Sequence, residues 1–194
     1  MDFPSKKYNI IYADPPWSYD TKWGNGCADK NYNTMSIDEI KKLPIPSISA
    51  ENCHLYLWYT NSFVREAHDL CDSWGFDYKQ TLTWVKLYSN NKRQTGMGYY
   101  FRGTTEHILF GVKGTLPRLR KDMINLIETN GSAVYEKNLH FGEHSKKPNK
   151  FRDIIIQHSG DLPRIELFAR TKVHGWDVWG NDEKLDLEPL ESWC

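Results

Sequence analysis

The residues of this chain best suited to chemistry are Asp14-Pro15-Pro16-Trp17. They follow Tyr8-Asn9-Ile10-Ile11-Tyr12-Ala13, an apolar run that reads as a buried strand. A carboxylate at the end of a buried strand, followed by two prolines and an indole, is built to hold the exocyclic amine of a base. The 6-amine of adenine is a poor nucleophile because its lone pair is delocalised into the ring. The Asp14 carboxylate can accept one of its N–H groups and the Pro15 carbonyl the other, which favours a more tetrahedral nitrogen whose lone pair faces a methyl donor. Proline lacks an N–H and fixes φ, so that carbonyl is presented stiffly. Trp17 offers a flat face for an unstacked base. A proton can leave after the methyl group has arrived, so positioning and electrostatics carry the step and no strong general base is needed. The competing account is a strand-capping turn with Trp17 as a core aromatic. Average composition yields this tetrapeptide by chance in about one chain of this size in a thousand, which favours the chemical account.

The elements that must position these residues alternate along the chain. Residues 18–35 are polar, aromatic and rich in Gly and Asn, a long loop of the kind that is usually functional in a compact domain. Ser36-Ile37-Asp38-Glu39 is a capping box opening a short helix with Ile37, Ile40 and Leu43 on one face, ended by Pro44 and Pro46. Cys53–Tyr59 reads as a second buried strand, followed from about Asn61 by a helix carrying Phe63, Val64, Ala67, Leu70, Cys71 and Trp74, with Gly75 as the stop. Tyr78–Leu87 and Thr105–Val112 read as strands flanking a second polar loop, 88–103. Met123–Glu128 reads as a short strand, and residues 129–142 as an insertion or hairpin with a turn at Asn130-Gly131. A helix from near Ser145 directs Phe151, Ile154 and Ile155 inward, Arg164–Ala169 forms a strand, and Gly175–Gly180 forms another.

Strands alternating with helices imply an α/β, Rossmann-like three-layer sandwich with a mostly parallel sheet. Ligands then bind at the carboxyl ends of the strands. Asp14, Lys113 and Arg170 each follow a predicted strand directly and are expected to share that edge.

A length of 194 residues fits one domain, assigned here to 1–182 with an acidic, poorly tethered tail at 183–194. The formal net charge of +0 leaves nucleic-acid contact to local basic patches. Cys27, Cys53, Cys71 and Cys194 are widely spaced without a C-x-x-C pair, which argues against zinc and disulfides and for a reducing compartment. A polar N-terminus and the lack of a membrane-length apolar stretch point to a cytoplasmic protein, of a bacterium or a phage-infected host cell.

With these segments placed, the chain resembles the MT-A branch of the amino-group methyltransferases that act on adenine. The likeness runs in order over roughly residues 8–181, through Asp14-Pro15-Pro16-Trp17, Tyr32-Asn33-Thr34-Met35-Ser36, Leu55-Tyr56-Leu57-Trp58, Thr83-Trp84-Val85-Lys86 and Glu106–Gly114. It continues through His144-Ser145-Lys146-Lys147-Pro148, Arg164–Arg170 and Trp176–Asn181. The resemblance implies the S-adenosylmethionine-dependent methyltransferase fold in the permuted, β-type order, with S-adenosylmethionine as donor. It implies that Asp14 contacts both the target amine and the donor's methionyl group, that Lys113 pairs with the methionyl carboxylate, and that Arg170, Asn181 and Asp182 hold the ribose. Asp2 or Phe3 is the substitute for an acidic residue that longer relatives place before the catalytic strand, beside the donor's adenine.

The loops resemble gates that flank the base pocket in relatives. Tyr32, Lys92, Arg93, Tyr99, Tyr100 and Arg102 combine aromatic rings with positive charge, which suits phosphates and an extruded base. Arg118 and Arg120, within Lys113–Lys121, form a further candidate phosphate track. His140-Phe141-Gly142-Glu143-His144 matches the H-x-x-E-H zinc pattern, but Gly142 and the lack of a third ligand argue against a metal site. Three readings stand: a DNA adenine methyltransferase, favoured; the same reaction on RNA; and a non-catalytic nucleic-acid-binding subunit, against which the intact Asp14–Trp17 motif speaks. A homodimer or heterodimer is compatible with each.

Overall fold

The computed structural model describes residues 2–18, 34–96, 98, 100–130, 147–180 and 186–187, with Asn130, Asp186 and Leu187 described by their backbone. In chain order the elements are β1 (Tyr8–Ala13), α1 (Ile37–Lys41), α2 (Ile45–Ile48), β2 (Ser49–Tyr59), α3 (Val64–Ser73), β3 (Asp77–Leu87), β4 (Thr105–Lys113), β5 (Leu126–Asn130), α4 (Lys150–Ser159), β6 (Arg164–Leu167), β7 (Thr171–Lys172), β8 (Asp177–Trp179) and β9 (Asp186–Leu187).

Seven strands form one sheet in the order β5-β3-β4-β2-β1-β6-β8. β4 runs antiparallel to both its neighbours, β2 and β3, while every other pair in the sheet is parallel. This is the expected α/β three-layer sandwich. The continuous apolar character of β1 follows from cover on both faces. Ile11 and Ala13 pack with Leu55, Leu57 and Leu109 beneath α1, α2 and α3, through Ile40, Ile45, Leu70 and Trp74. Ile10 and Tyr12 face the other way, with Tyr56, Trp58, Trp84 and Ile108, against Phe151 and Ile155 of α4.

Local signals place most boundaries. Ser36 caps α1: the Glu39 N–H donates to its Oγ at 3.3 Å and the Ser36 N–H donates to the Glu39 carboxylate at 2.8 Å. Pro44 and Pro46 end α1 but do not end helical structure, because Pro46 falls in the first turn of α2, where a missing N–H costs nothing. Gly75, at φ +79, reverses the chain after α3. β2 starts four residues before the expected Cys53. α4 starts at Lys150, just past Pro148, rather than near Ser145. Its Arg152 and the Glu166 of β6 form a buried two-point ion pair at 2.7 and 3.1 Å that ties the helix to the sheet. Among the described residues of the acidic tail, the backbone of β9 pairs with β7. Among the described residues no helix is long and apolar enough to cross a membrane.

Candidate active site

Asp14 is the first residue beyond β1, at the rim formed by the carboxyl ends of β1, β2, β3, β5, β6 and β8 and the amino end of β4. The two prolines behind it are locked by backbone bonds. The Trp17 N–H donates to the Pro15 carbonyl at 2.9 Å, and the Met35 N–H donates to the Pro16 carbonyl at 2.9 Å. One lone pair of the Pro15 oxygen therefore remains for another donor. Trp17 departs from expectation. It is only 8% exposed, its indole N–H donates to the Trp58 carbonyl at 3.3 Å, and its ring stacks on Phe63 at 4.9 Å and 15°. A platform for an extruded base needs an open face, and Phe63 has taken one of the two.

A chain of alternating charges runs along the rim. The Lys147 ammonium lies 2.9 Å from the Asp14 carboxylate and 3.3 Å from that of Glu106. Glu106 is also paired with Lys86, at the end of β3. Lys147 is 13% exposed at its side chain and sits 5.1 Å from the Trp58 ring centroid; Lys86 sits 4.9 Å from that of Trp84. Burial works against the Lys147 charge, but the Asp14 and Glu106 carboxylates outweigh it and hold its pKa above the ordinary lysine range. Burial likewise pushes Glu106 up, yet Lys147 and Lys86 win and lower it. Lys147 and Glu106 are therefore both charged at neutral pH.

Sequence reasoning passed over Lys147, Glu106 and Lys86 as site residues. Lys86 and Glu106 stand in Thr83–Lys86 and Glu106–Gly114, stretches that carry the family resemblance, but only the fold shows that they meet. An antiparallel pairing of β3 with β4 sets Trp84 opposite Glu106 and so brings Lys86 and Glu106 to one rim. Lys147 stands in His144–Pro148, one of the stretches that carry the family resemblance, and that was the pointer to it.

The expectation that Lys113 shares an edge with Asp14 is corrected. Because β4 is antiparallel, Lys113 pairs with Cys53 at the amino end of β2, whereas Ala13 pairs with Leu57 near the other end. The five-residue offset from Cys53 to Trp58 puts Lys113 about 17 Å away along the strands. Arg118 and Arg120 are also remote from Asp14. They line a cavity of about 540 Å³ with His54, Tyr56, Phe110 and His158, at the same far end of the sheet. Arg120 is engaged with Asp122 at 2.9 Å.

Arg170 does lie at the Asp14 rim, three residues past Leu167, which pairs with Ala13. Lys92, Arg93, Tyr100 and Arg102 are exposed on the loop between β3 and β4, which leaves and rejoins the sheet at that rim. Tyr32, Tyr99, Asn181 and Asp182 lie outside the described residues, as do His140, His144 and most of 129–142. Beyond β6 the chain turns through Phe168 at φ +63, a left-handed conformation that is strained for an aromatic residue. The turn lets the Ala169 N–H bond the Trp179 carbonyl at 3.2 Å, and only glycine fits at 180, where a Cβ would sit 2.2 Å from the Ala169 oxygen. Phe3 packs edge-on against Trp179 at 5.1 Å, beside this turn.

A family profile, MT-A70, matches residues 8–182 of the chain, the span that includes this sheet and its rim. The chain belongs to the MT-A70 family. It is 33% identical, over 95% of its length and 82% of the relative's, to the type II methyltransferase M.MunI of Mycoplasma sp. It is 28% identical to the N(6)-adenosine-methyltransferase MT-A70-like protein of Drosophila melanogaster, over 84% of this chain and 24% of that one. Identity is also 28% to the N(6)-adenine-specific methyltransferase METTL4 of Homo sapiens, over 91% of this chain and 38% of that one. The chain thus spans well under half the length of the two animal relatives.

Proposed function

We propose that the protein transfers a methyl group from S-adenosylmethionine to the N6 amine of adenine in DNA, in the cytoplasm of a bacterium or a phage-infected cell. The observation that carries this is Asp14 held at the sheet rim beside the stiff Pro15 carbonyl, with the part-buried Lys147 ammonium 2.9 Å away. Family membership supports the reaction. The Mycoplasma type II methyltransferase, most of whose length the chain spans, supports DNA as the polymer.

The donor set fits S-adenosylmethionine. Its methionyl end is a zwitterion, which needs a cation and an anion side by side, and Lys147 with Asp14 is such a pair. Arg170 at the same rim suits the ribose hydroxyls, and Phe3 beside Trp179 offers an aromatic edge for the donor's adenine. When bound, the sulfonium supplies an electrophilic methyl carbon. The residues do the rest by position. Asp14 accepts one N–H of the target amine and the remaining lone pair of the Pro15 carbonyl accepts the other, which aims the nitrogen lone pair at that carbon. Glu106 holds the same Lys147 ammonium as Asp14, at 3.3 Å. This assigns to Lys147 the carboxylate contact that Lys113 is too distant to make. Lys92, Arg93, Tyr100 and Arg102 face the polymer from the adjoining loop, with Tyr32 and Tyr99 proposed beside them and Asn181 and Asp182 at the ribose.

The reaction on RNA is the second reading, favoured by the adenosine named in the Drosophila relative. Incubation with tritiated-methyl donor and DNA or RNA oligomers, followed by mass spectrometry of the nucleosides, separates the two. N6-methyldeoxyadenosine is expected; incorporation into RNA alone reverses the assignment, and none into either polymer overturns it in favour of a non-catalytic subunit.

A further inference from the structure

The segment between β3 and β4 is a stiff projection at the rim that holds Asp14. The Gln94 N–H donates to the Lys86 carbonyl at 2.8 Å, and its buried side chain donates to the Leu87 carbonyl at 2.9 Å. The Lys86 N–H donates to Thr104 at 3.1 Å and the Gly96 N–H to Gly103 at 2.6 Å, so the two arms run side by side. The arms reverse where a Cβ on Gly98 would stand 1.9 Å from the Phe101 carbonyl oxygen, a backbone contact that only glycine permits. At this tip Tyr100 is 87% and Phe101 90% exposed. Burying a phenylalanine is worth about 1.5–3 kcal/mol, so a ring held out in water on a braced hairpin forgoes that gain and serves no core.

Its surroundings name the occupant. Lys92, Arg93 and Arg102 are exposed on the same segment of a chain whose net charge is +0. An apolar tip flanked by cations matches a polymer with a stacked apolar interior and anionic edges. The arms spring from Lys86 and close just before Glu106, and Glu106 shares Lys147 with Asp14. β4 is two strands from β1, and Thr104 lies four residues beyond Ile108, which stands level with Asp14, so the base of the projection is about 16 Å from Asp14.

We propose that Phe101 is a wedge that enters the DNA stack and fills the gap left when the target adenine is turned out toward Asp14. This rests on the assignment of adenine in duplex DNA as substrate. Extruding a base costs stacking and pairing energy, and an aromatic ring in the vacated step offsets part of it. A single-stranded target needs no such help.

The test compares Phe101→Ala and Phe101→Trp with the unmodified protein, on a duplex oligomer carrying its target adenine and on that strand alone. Methyl incorporation is read on both substrates, and 2-aminopurine fluorescence at the target position in the duplex. For Phe101→Ala, activity on the duplex is expected to fall about tenfold, the scale of one base–aromatic stacking contact. Activity on the single strand is expected to stay within about twofold, the duplex fluorescence rise to shrink, and Phe101→Trp to restore both. An equal loss on the two substrates, no loss on either, or a changed oligomeric state by light scattering, which would mark a protein interface, overturns the wedge. Absence of incorporation by the unmodified protein on every substrate instead brings down the adenine assignment, and the wedge with it.

Discussion

The Lys147 ammonium bridges Asp14 at 2.9 Å and Glu106 at 3.3 Å, so the carboxylate proposed to hold the target amine already has a part-buried cation beside it. The cation at this rim is Lys147, and the proposed site for the donor carboxylate lies there rather than at Lys113. Lys147→Met is expected to weaken S-adenosylmethionine binding by roughly 10- to 100-fold, the range of one charge-assisted hydrogen bond, and Lys113→Met by less than about twofold. Titration calorimetry with donor on the two variants checks this. Comparable losses in both would move the carboxylate site.

Asp14→Ala removes the proposed acceptor of the target amine but leaves β1 and its cover in place. Methyl incorporation is expected to fall by at least about a thousandfold, with the thermal midpoint within a few degrees of the unmodified protein. Retained turnover in the variant would remove Asp14 from the chemistry.

Trp17 stacks on Phe63 and is nearly closed off from water, so its loss reaches beyond the base pocket. Trp17→Ala is expected to cost about 3–5 kcal/mol of stability by opening a cavity, whereas Trp17→Phe keeps part of the stack. Urea denaturation measures the cost, and turnover of the Trp17→Phe variant shows whether the indole is also needed for the base. An unchanged rate would confine Trp17 to the core.

His54 is buried, with Nδ1 2.7 Å from the Ser159 hydroxyl and Nε2 2.9 Å from the Leu116 carbonyl. Burial lowers its pKa from 6.5 to about 4. The unfolded chain therefore takes up a proton before the folded chain does. Stability is fully present above pH 6.5 and is lost as the pH falls toward 4. Urea midpoints measured from pH 7 to pH 4 should decline across that window, and less steeply in His54→Gln. An equal decline in both would place the acid sensitivity elsewhere.

Breaking the buried Arg152–Glu166 pair leaves a lone charge between α4 and β6. Arg152→Met is expected to destabilise by about 3–5 kcal/mol, and replacing both partners with apolar residues to recover much of the loss. Double-mutant denaturation checks the coupling.

Much of this architecture was written locally. The unbroken apolar run of β1, the Ser36–Glu39 cap and the Gly75 stop each reflect forces acting within a few residues, and each stands where it was expected. The Asp14-Pro15-Pro16-Trp17 motif was legible for the same reason: its two prolines and the Trp17 N–H to Pro15 bond are local, although Met35, Trp58 and Phe63 complete its bracing. Tyr100 and Arg102 could be assigned to a polar loop, but that loop's bracing and the outward display of Phe101 depend on the approach of Gly96 to Gly103.

The rim's electrostatics belong to the tertiary structure. Residue order said that Lys113 ends a strand, but could not say which way that strand runs beside one some 50 positions earlier. Pairing of β4 with β2 and β3 sets that direction, through hydrogen bonds and side-chain packing between distant segments. One reversed strand carries Lys113 to the far end of the sheet and brings Glu106 to the near one. There it meets Lys86 from β3 and Lys147 from beside α4, three charges with no shared local pattern that only the folded sheet joins to Asp14.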